Sequence, residues 1–298
     1  MTLFVLLGPT AVGKTALALE IASLLKCPIL NCDSRQIYKG MKIGTAAPTK
    51  EEQQRVKHYF VDILALDEYY SAAKYEEEAI QLIESLSSSH CNILLTGGSM
   101  MYIDAVCKGI DDIPTVDGEI RKQLKERYER EGIAHLLKEL SIIDPTYYNE
   151  VDHKNFKRII HALEICHTSG KPYSSFRKKT VKERPFRIVK IGLRRERQEL
   201  FDRINQRAEE MMKSGFLEEA KSLLPYQDYN SLNTVGYKEL FKHLNGEWSL
   251  EMAVERIKKN TRVYAKKQMT WFQHDPDIHW FHADSKEEIL KFIQENMQ

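Results

Sequence analysis

No apolar run in this chain approaches the roughly 18 residues of a membrane-crossing helix, and the first hydrophobic stretch, TLFVLL, gives way to a glycine at position 8. Neither a membrane span nor a signal peptide is expected, and the cytoplasm is the expected compartment. Cysteine is scarce. Cys27, Cys32, Cys91, Cys107 and Cys166 are odd in number and contain no C-x-x-C pair, which excludes a disulfide framework and a zinc knuckle and leaves reduced thiols. His153, His161 and His167 lack the i, i+4 spacing of a helical ligand pair, so no histidine metal site is signalled. Internal repeats and low-complexity tracts are absent too, which excludes fibrous and disordered classes.

Net charge is nearly absent, +1 over 298 residues, but the balance is uneven. Residues 1–150 carry 16 Lys/Arg against 22 Asp/Glu, and 151–298 carry 28 against 21. Between Lys154 and Arg197 there are 14 basic and 3 acidic side chains, including RKKTVKER at 177–184. A net +11 in that span reads either as a solvated face or as a surface for a polyanion, where each neutralised phosphate releases counterions.

What is present in full is the string GPTAVGKT at 8–15, the phosphate-cradling pattern G-x-x-x-x-G-K-[ST] directly after a buried strand. Such a loop aims backbone N–H groups and a helix N-terminus at one spot, which suits an anion. Strand and helix signals then alternate: a helix from about 14 to 25, the strand PILNCD, a third strand at HYFVDI (58–63), a helix over 71–86, and the strand NILLT. This cadence predicts an α/β fold, a core like that of P-loop NTPases with a mostly parallel sheet flanked by helices. From about 115 to 185 the texture changes to charged amphipathic helices, at 119–131 and 155–168, and reads as a helical insertion domain. Residues 1–114 and 186–298 form the expected core, with RIVKIGL and 278–281 as further strands and helices over 195–214, 237–244, 250–273 and from 286.

A nucleotide hydrolase pairs the phosphate loop with an Asp ending a later strand, where it helps hold magnesium. Here NILLT ends in Thr96 and GGS, and the carboxylate stands instead at the end of the second strand, Asp33 in DSRQIY. That loop carries an acid, hydroxyls, an amide and an arginine, a set suited to a polar substrate beside a phosphate donor. GGSMMY (97–102) adds close backbone approach and the Ser99 hydroxyl, which could donate to a phosphoryl oxygen. A transferase is the economical reading. A P-loop kinase of a nucleoside or small metabolite uses the same loop and acid, and a non-enzymatic RNA-binding module would use the basic stretch alone.

Taken in order, GPTAVGKT, DSRQIYKGMKIGTAAP, GGSMMY, NFKRIIHALE with TSGKPYS, RINQRAEEMMKSGFLEEA, VGYKEL and TRVYAKKQMTWF resemble the tRNA dimethylallyltransferase (tRNA isopentenyltransferase) family, bacterial type, over nearly the whole chain. The resemblance implies transfer of a dimethylallyl group from its diphosphate to N6 of adenosine 37 in the tRNA anticodon loop. It places the diphosphate on Gly8, Pro9, Thr10, Ala11, Val12, Gly13, Lys14 and Thr15, with Mg²⁺ held partly by Thr15, and Arg203 and Arg207 are further candidates to reach it. Adenine N6 is a poor nucleophile because its lone pair is delocalised, so a carboxylate accepting its proton lowers the barrier. Asp33 is the candidate base, and the family assigns the matching position that task. Ser99 is expected at the reaction centre. Along the tRNA the resemblance sets Asp33, Ser34, Arg35, Gln36, Ser99, Arg121, Lys157, Arg158, Ile159, Ile160 and His161. Tyr38, Tyr59 and Tyr102 are candidates to stack on bases. His161 stands where arginine is usual, Ser99 for threonine, Met100 for glycine, and KKQ for KRQ. The expected partners are tRNA with adenosine 37 and dimethylallyl diphosphate, with no membrane, and the protein is expected to be a monomer.

Overall fold

The computed structural model describes residues 1–298 apart from 115, 117, 179, 180 and 298, so two residues of the basic run RKKTVKER lie outside the described set. Two compact units are present: Met1–Lys108 with Glu183–Gln298, and Gly109–Lys182. The chain returns to the first unit early because Arg184 is nearly buried there. Its guanidinium donates to the carbonyls of Ala105 and Val106 and pairs with Glu76 at 2.7 Å.

The first unit is built on six parallel strands, β1 (Thr2–Leu7), β2 (Ile29–Asn31), β3 (His58–Tyr59), β4 (Asn92–Thr96), β5 (Arg187–Arg194) and β6 (Ile278–His282), in the order β3-β2-β4-β1-β5-β6. β1 is buried from end to end, as a central parallel strand covered on both faces must be. Its side chains alternate between two cores: Leu3, Val5 and Leu7 pack on one face, Phe4 and Leu6 on the other. Helices Lys14–Leu25 and Lys286–Asn296 supply residues to the second core, and Ala72–Leu86, Met100–Lys108 and Tyr237–Leu244 to the first. The expected third strand is shorter than HYFVDI. Phe60 and Asp62 take positive φ values of 62° and 56°, which no strand accommodates, so β3 ends at Tyr59.

Order along the sheet decides where chemistry can gather. β2, β4 and β1 are neighbours and point the same way, so the loops that follow them emerge side by side at the carboxyl edge, where ligands of open α/β sheets bind.

The second unit is helical, with Gly118–Glu131, Ile133–Ile143, Pro145–Glu150 and Phe156–Ser169, and it contains no strand among its described residues. Leu124, Leu136, Leu140, Ile159, Ile160 and Leu163 form its core. Buried Asp144 closes it, accepting from the amides of Tyr147 (3.0 Å) and Ser174 (2.7 Å) and from the Ser174 hydroxyl (2.7 Å). Among the described residues no helix is long and apolar enough to cross a membrane.

Candidate active site

β1 ends at Leu7, and the chain turns immediately. Gly8 has φ +148°, and a Cβ there would sit 2.7 Å from the carbonyl oxygen of Leu193 in β5, so only glycine lets the loop leave so close to its neighbour. Ala11 lies in the left-handed region at φ 63°, a strained position of the kind that accumulates at binding loops. Gly13, φ +115°, starts helix Lys14–Leu25, which therefore turns its N-terminal amides and dipole toward the loop. Lys14 folds back and donates through Nζ to the carbonyls of Gly8 and Pro9, both at 2.8 Å. Burial pushes its ammonium down to about 8, Arg207 adds to the shift, and Asp33 opposes it. Burial likewise lowers Arg207, against the pull of Asp33. Lys14, Arg207 and Asp33 thus sense one another's charge in a single cavity of about 870 Å³ that all three line.

The acidic loop follows β2. Asp33 Oδ1 accepts from the amides of Arg35 (2.8 Å) and Gln36 (3.3 Å), a side-chain turn that fixes the carboxylate, while Oδ2 has no hydrogen bond among the described residues. The loop after β4 is fastened to it. Cys32 donates its amide to Thr96 O at 2.8 Å, and the Ser99 amide donates to Cys32 O at 3.2 Å. A Cβ on Gly97 would lie 2.6 Å from the backbone of Cys32, so that glycine permits the approach. Ser99 is buried. Its Oγ accepts from the Ser34 amide at 2.8 Å and shares a hydrogen bond with Ser34 Oγ at 3.0 Å, so the two hydroxyls form a pair on the cavity wall.

Sequence reasoning gave no role to Gln268, yet it joins two of these loops. It is 1 % exposed, accepts the Thr10 amide on Oε1 at 2.9 Å, and donates from Nε2 to Gly98 O at 2.8 Å. Tyr264, one helical turn earlier, also lines the cavity, and burial beside Asp33 pushes its phenol up. The only signal for either was the block TRVYAKKQMTWF, in which helical spacing sets both on one face.

The other expected residues separate into groups. Thr15 is exposed at the start of its helix and lines the cavity. Arg203 Nε donates to Ala11 O at 2.9 Å and so braces the phosphate loop. Arg35 and Gln36 direct donors to protein carbonyls, Arg35 to Asn230 and Ser231, Gln36 to Thr45 and Ala46. Tyr38 and Tyr102 are core residues, Tyr102 stacking on Tyr75 at 4.2 Å, and Tyr59 is half-buried in β3. In the helical unit Lys157 and Arg158 are exposed. Ile159 and Ile160, expected along the tRNA, are 0 % and 5 % exposed, because the apolar face of helix Phe156–Ser169 forms the core. Arg121 grips buried Glu164 through Nε and Nη2, both at 2.8 Å, and His161 Nδ1 lies 3.5 Å from the same carboxylate. These contacts hold the Glu164 carboxyl below its usual range despite its burial.

A parallel sheet with the string GPTAVGKT after its first strand, a carboxylate after its second and no acid ending β4 sets this site apart from the ordinary nucleotide hydrolases. The family described as IPP transferase matches residues 36–275, and the chain belongs to that family. It is 59% identical over 292 residues to tRNA dimethylallyltransferase 1 of Phocaeicola vulgatus, covering 98% of this chain and 97% of that protein. It is 57% identical to tRNA dimethylallyltransferase 1 of Bacteroides fragilis, covering 100% and 99%. The solved tRNA isopentenylpyrophosphate transferase of Bacillus halodurans superposes with a TM-score of 0.71 at 34% identity, covering 99% of this chain and 96% of that one. A eukaryotic dimethylallyltransferase acting on tRNA shares the fold, with a TM-score of 0.80 at 24% identity, covering 100% and 80%. The chain is thus an enzyme with the P-loop NTPase-like fold that its sequence implied, and the small-molecule kinase reading is not favoured.

Proposed function

We infer that the protein transfers a dimethylallyl group from dimethylallyl diphosphate to tRNA, at N6 of adenosine 37, acting as a cytoplasmic monomer. Membership of the family and the similarity to tRNA dimethylallyltransferases support the group and the class of acceptor. The single observation that carries the site is the sharing of one cavity by Lys14, Arg207 and Asp33.

The reaction breaks the allylic C–O bond, leaves diphosphate, forms a C–N bond to N6 and releases one proton. Charge grows on the departing diphosphate, and amides of 8–15, Lys14 and Arg207 stabilise it. Arg203 acts on that end through the carbonyl of Ala11. Asp33 Oδ2 receives the proton from N6 as the C–N bond forms, held in place by the two amides on Oδ1. The Ser34–Ser99 hydroxyl pair offers a proton to a phosphoryl oxygen.

The donor set fits magnesium. Thr15 and Ser34 are neutral oxygen donors beside one carboxylate, and Mg²⁺ typically takes one or two protein oxygens together with phosphates and water. Thr15 would hold the ion, whose charge would neutralise the leaving diphosphate.

Gly109–Lys182 would contact the tRNA through Lys157 and Arg158, with Arg121 and His161 acting through the Glu164 cluster. An unpaired anticodon-loop base costs less to extrude into a cavity than a base in a duplex.

The test is incubation of the purified protein and magnesium with unmodified tRNA and radiolabelled dimethylallyl diphosphate, beside an ATP-plus-nucleoside control. Label is expected in RNA, on the adenosine. Phosphate transfer to the nucleoside with no label in RNA would overturn the proposal.

A further inference from the structure

One carboxylate with no role in the reaction above is saturated by main-chain donors. Glu219 Oε2 accepts from the amides of Lys42 (3.0 Å) and Ile43 (2.8 Å), and Oε1 accepts from the amide of Gly44 (2.8 Å) and the Tyr237 hydroxyl (2.6 Å). Three successive amides converging on one point form an anion-binding concavity, here filled by the protein's own side chain. Tyr237 is fully buried, and burial together with Glu219 raises its phenol, so it stays a donor.

The same place gathers two walls of the cavity. A Cβ on Gly44 would lie 2.2 Å from the Phe216 ring and 2.6 Å from Tyr237, and one on Gly236, φ +101°, would lie 2.8 Å from Phe216. Both loops therefore pack on one edge-to-face pair, Phe216 and Tyr237, with centroids 5.1 Å apart. Gly44, Thr45 and Ala46 of the first loop and Thr234, Val235 and Gly236 of the second line the reaction cavity. Consecutive residues of the acidic loop hold the first loop and the short turn Asn230–Leu232 that precedes the second. Gln36 Nε2 donates to Thr45 O (3.0 Å) and Ala46 O (3.1 Å), and an Arg35 nitrogen donates to Asn230 O (2.8 Å) and Ser231 O (3.1 Å). The amides of those two residues fix Asp33 Oδ1.

We propose that Glu219 is a positioning residue for the acceptor base, fixing the 42–46 loop, and through Gln36 the Asp33 carboxylate, without touching the diphosphate cradle. The inference rests on the reading of Asp33 as the base. Glu219→Gln keeps the side chain's size but turns an NH₂ group toward N–H donors, so the loop must move. Misplacement of a wall by about 1 Å lowers kcat/KM for tRNA about 10- to 100-fold. KM and affinity for dimethylallyl diphosphate stay unchanged, and Glu219→Asp recovers part of the loss. Tyr237→Phe, which removes a single donor, gives a smaller loss of the same kind and serves if Glu219→Gln does not fold. A merely structural role would lower kcat for both substrates in proportion to the folded fraction, with both KM values intact. That outcome, or unchanged tRNA parameters, overturns the inference. Asp33→Asn is assayed alongside. Full activity there removes the base reading itself, whereas an inactive Asp33→Asn beside a silent Glu219→Gln removes only the role of Glu219.

Discussion

The phosphate end and the acidic end of the cavity are built in opposite ways. At the phosphate end, 8–15 is one contiguous string whose groups close on themselves, Lys14 bonding the carbonyls of Gly8 and Pro9 and Gly13 opening the helix. At the acidic end, Asp33 is local, but the walls beside it are held by partners 196 residues apart, as in Arg35 and Ser231. An anion needs only amides, which any sequence supplies if its turns are right. Orienting a purine needs walls of defined shape, and those come from distant segments stapled together.

If the two ends divide the work, variants should split between the substrates. The largest effect is expected for Asp33→Ala: turnover falls about 100- to 10,000-fold, as for a lost general base, while titration with dimethylallyl diphosphate stays near wild type. Equal loss of diphosphate affinity would erase the distinction between the ends. Lys14→Met should show the reverse signature. Loss of a charge-assisted contact of about 1.5–3 kcal/mol weakens diphosphate binding roughly 10- to 150-fold, with tRNA affinity in a filter-binding assay retained.

Gln268 joins the two ends, so Gln268→Ala tests how far they are separable. It strands the part-buried Thr10 amide and the buried Gly98 carbonyl, the latter at about 1–3 kcal/mol, and both substrates should suffer in steady-state kinetics. A pH series sharpens the picture with a smaller effect. The Lys14 ammonium is lowered to about 8 in the free protein, so its charge is present below that pH and lost above it. Affinity for dimethylallyl diphosphate should therefore fall as pH rises through 8, measured by calorimetry, and Lys14→Met should flatten that step.

The effect on catalysis is smallest for the helix Phe156–Ser169, whose two faces repeat the contrast. Lys157→Ala with Arg158→Ala should reduce the salt slope of tRNA binding by about 2, one for each phosphate contact, and leave the melting temperature unchanged. Ile159→Ala should do the opposite, destabilising the helical unit by about 2–5 kcal/mol with the salt slope intact.

Much of this was legible without coordinates. Strand periodicity placed β1, β4 and β5, the phosphate string named its own loop, and Asp33 was singled out because it stands just after the second strand. Helical spacing through Phe156, Ile159, Ile160 and Leu163 already marked the apolar face of this segment, and these residues do form or pack on the core of the helical unit. Glu219 and Gln268 lay in matched blocks with no role attached. Local rules, the φ tolerance of glycine, helix periodicity and burial of apolar runs, act over a few residues, and the sequence by itself determined whatever they govern: the α/β core, the anion loop and the helical character of 118–169. The tertiary structure alone decided the rest: which side chains face the cavity, which arginines spend their donors on carbonyls, and which carboxylate holds a wall. Those outcomes depend on contacts between residues tens to hundreds apart, whose pairing follows from the packing of the whole unit.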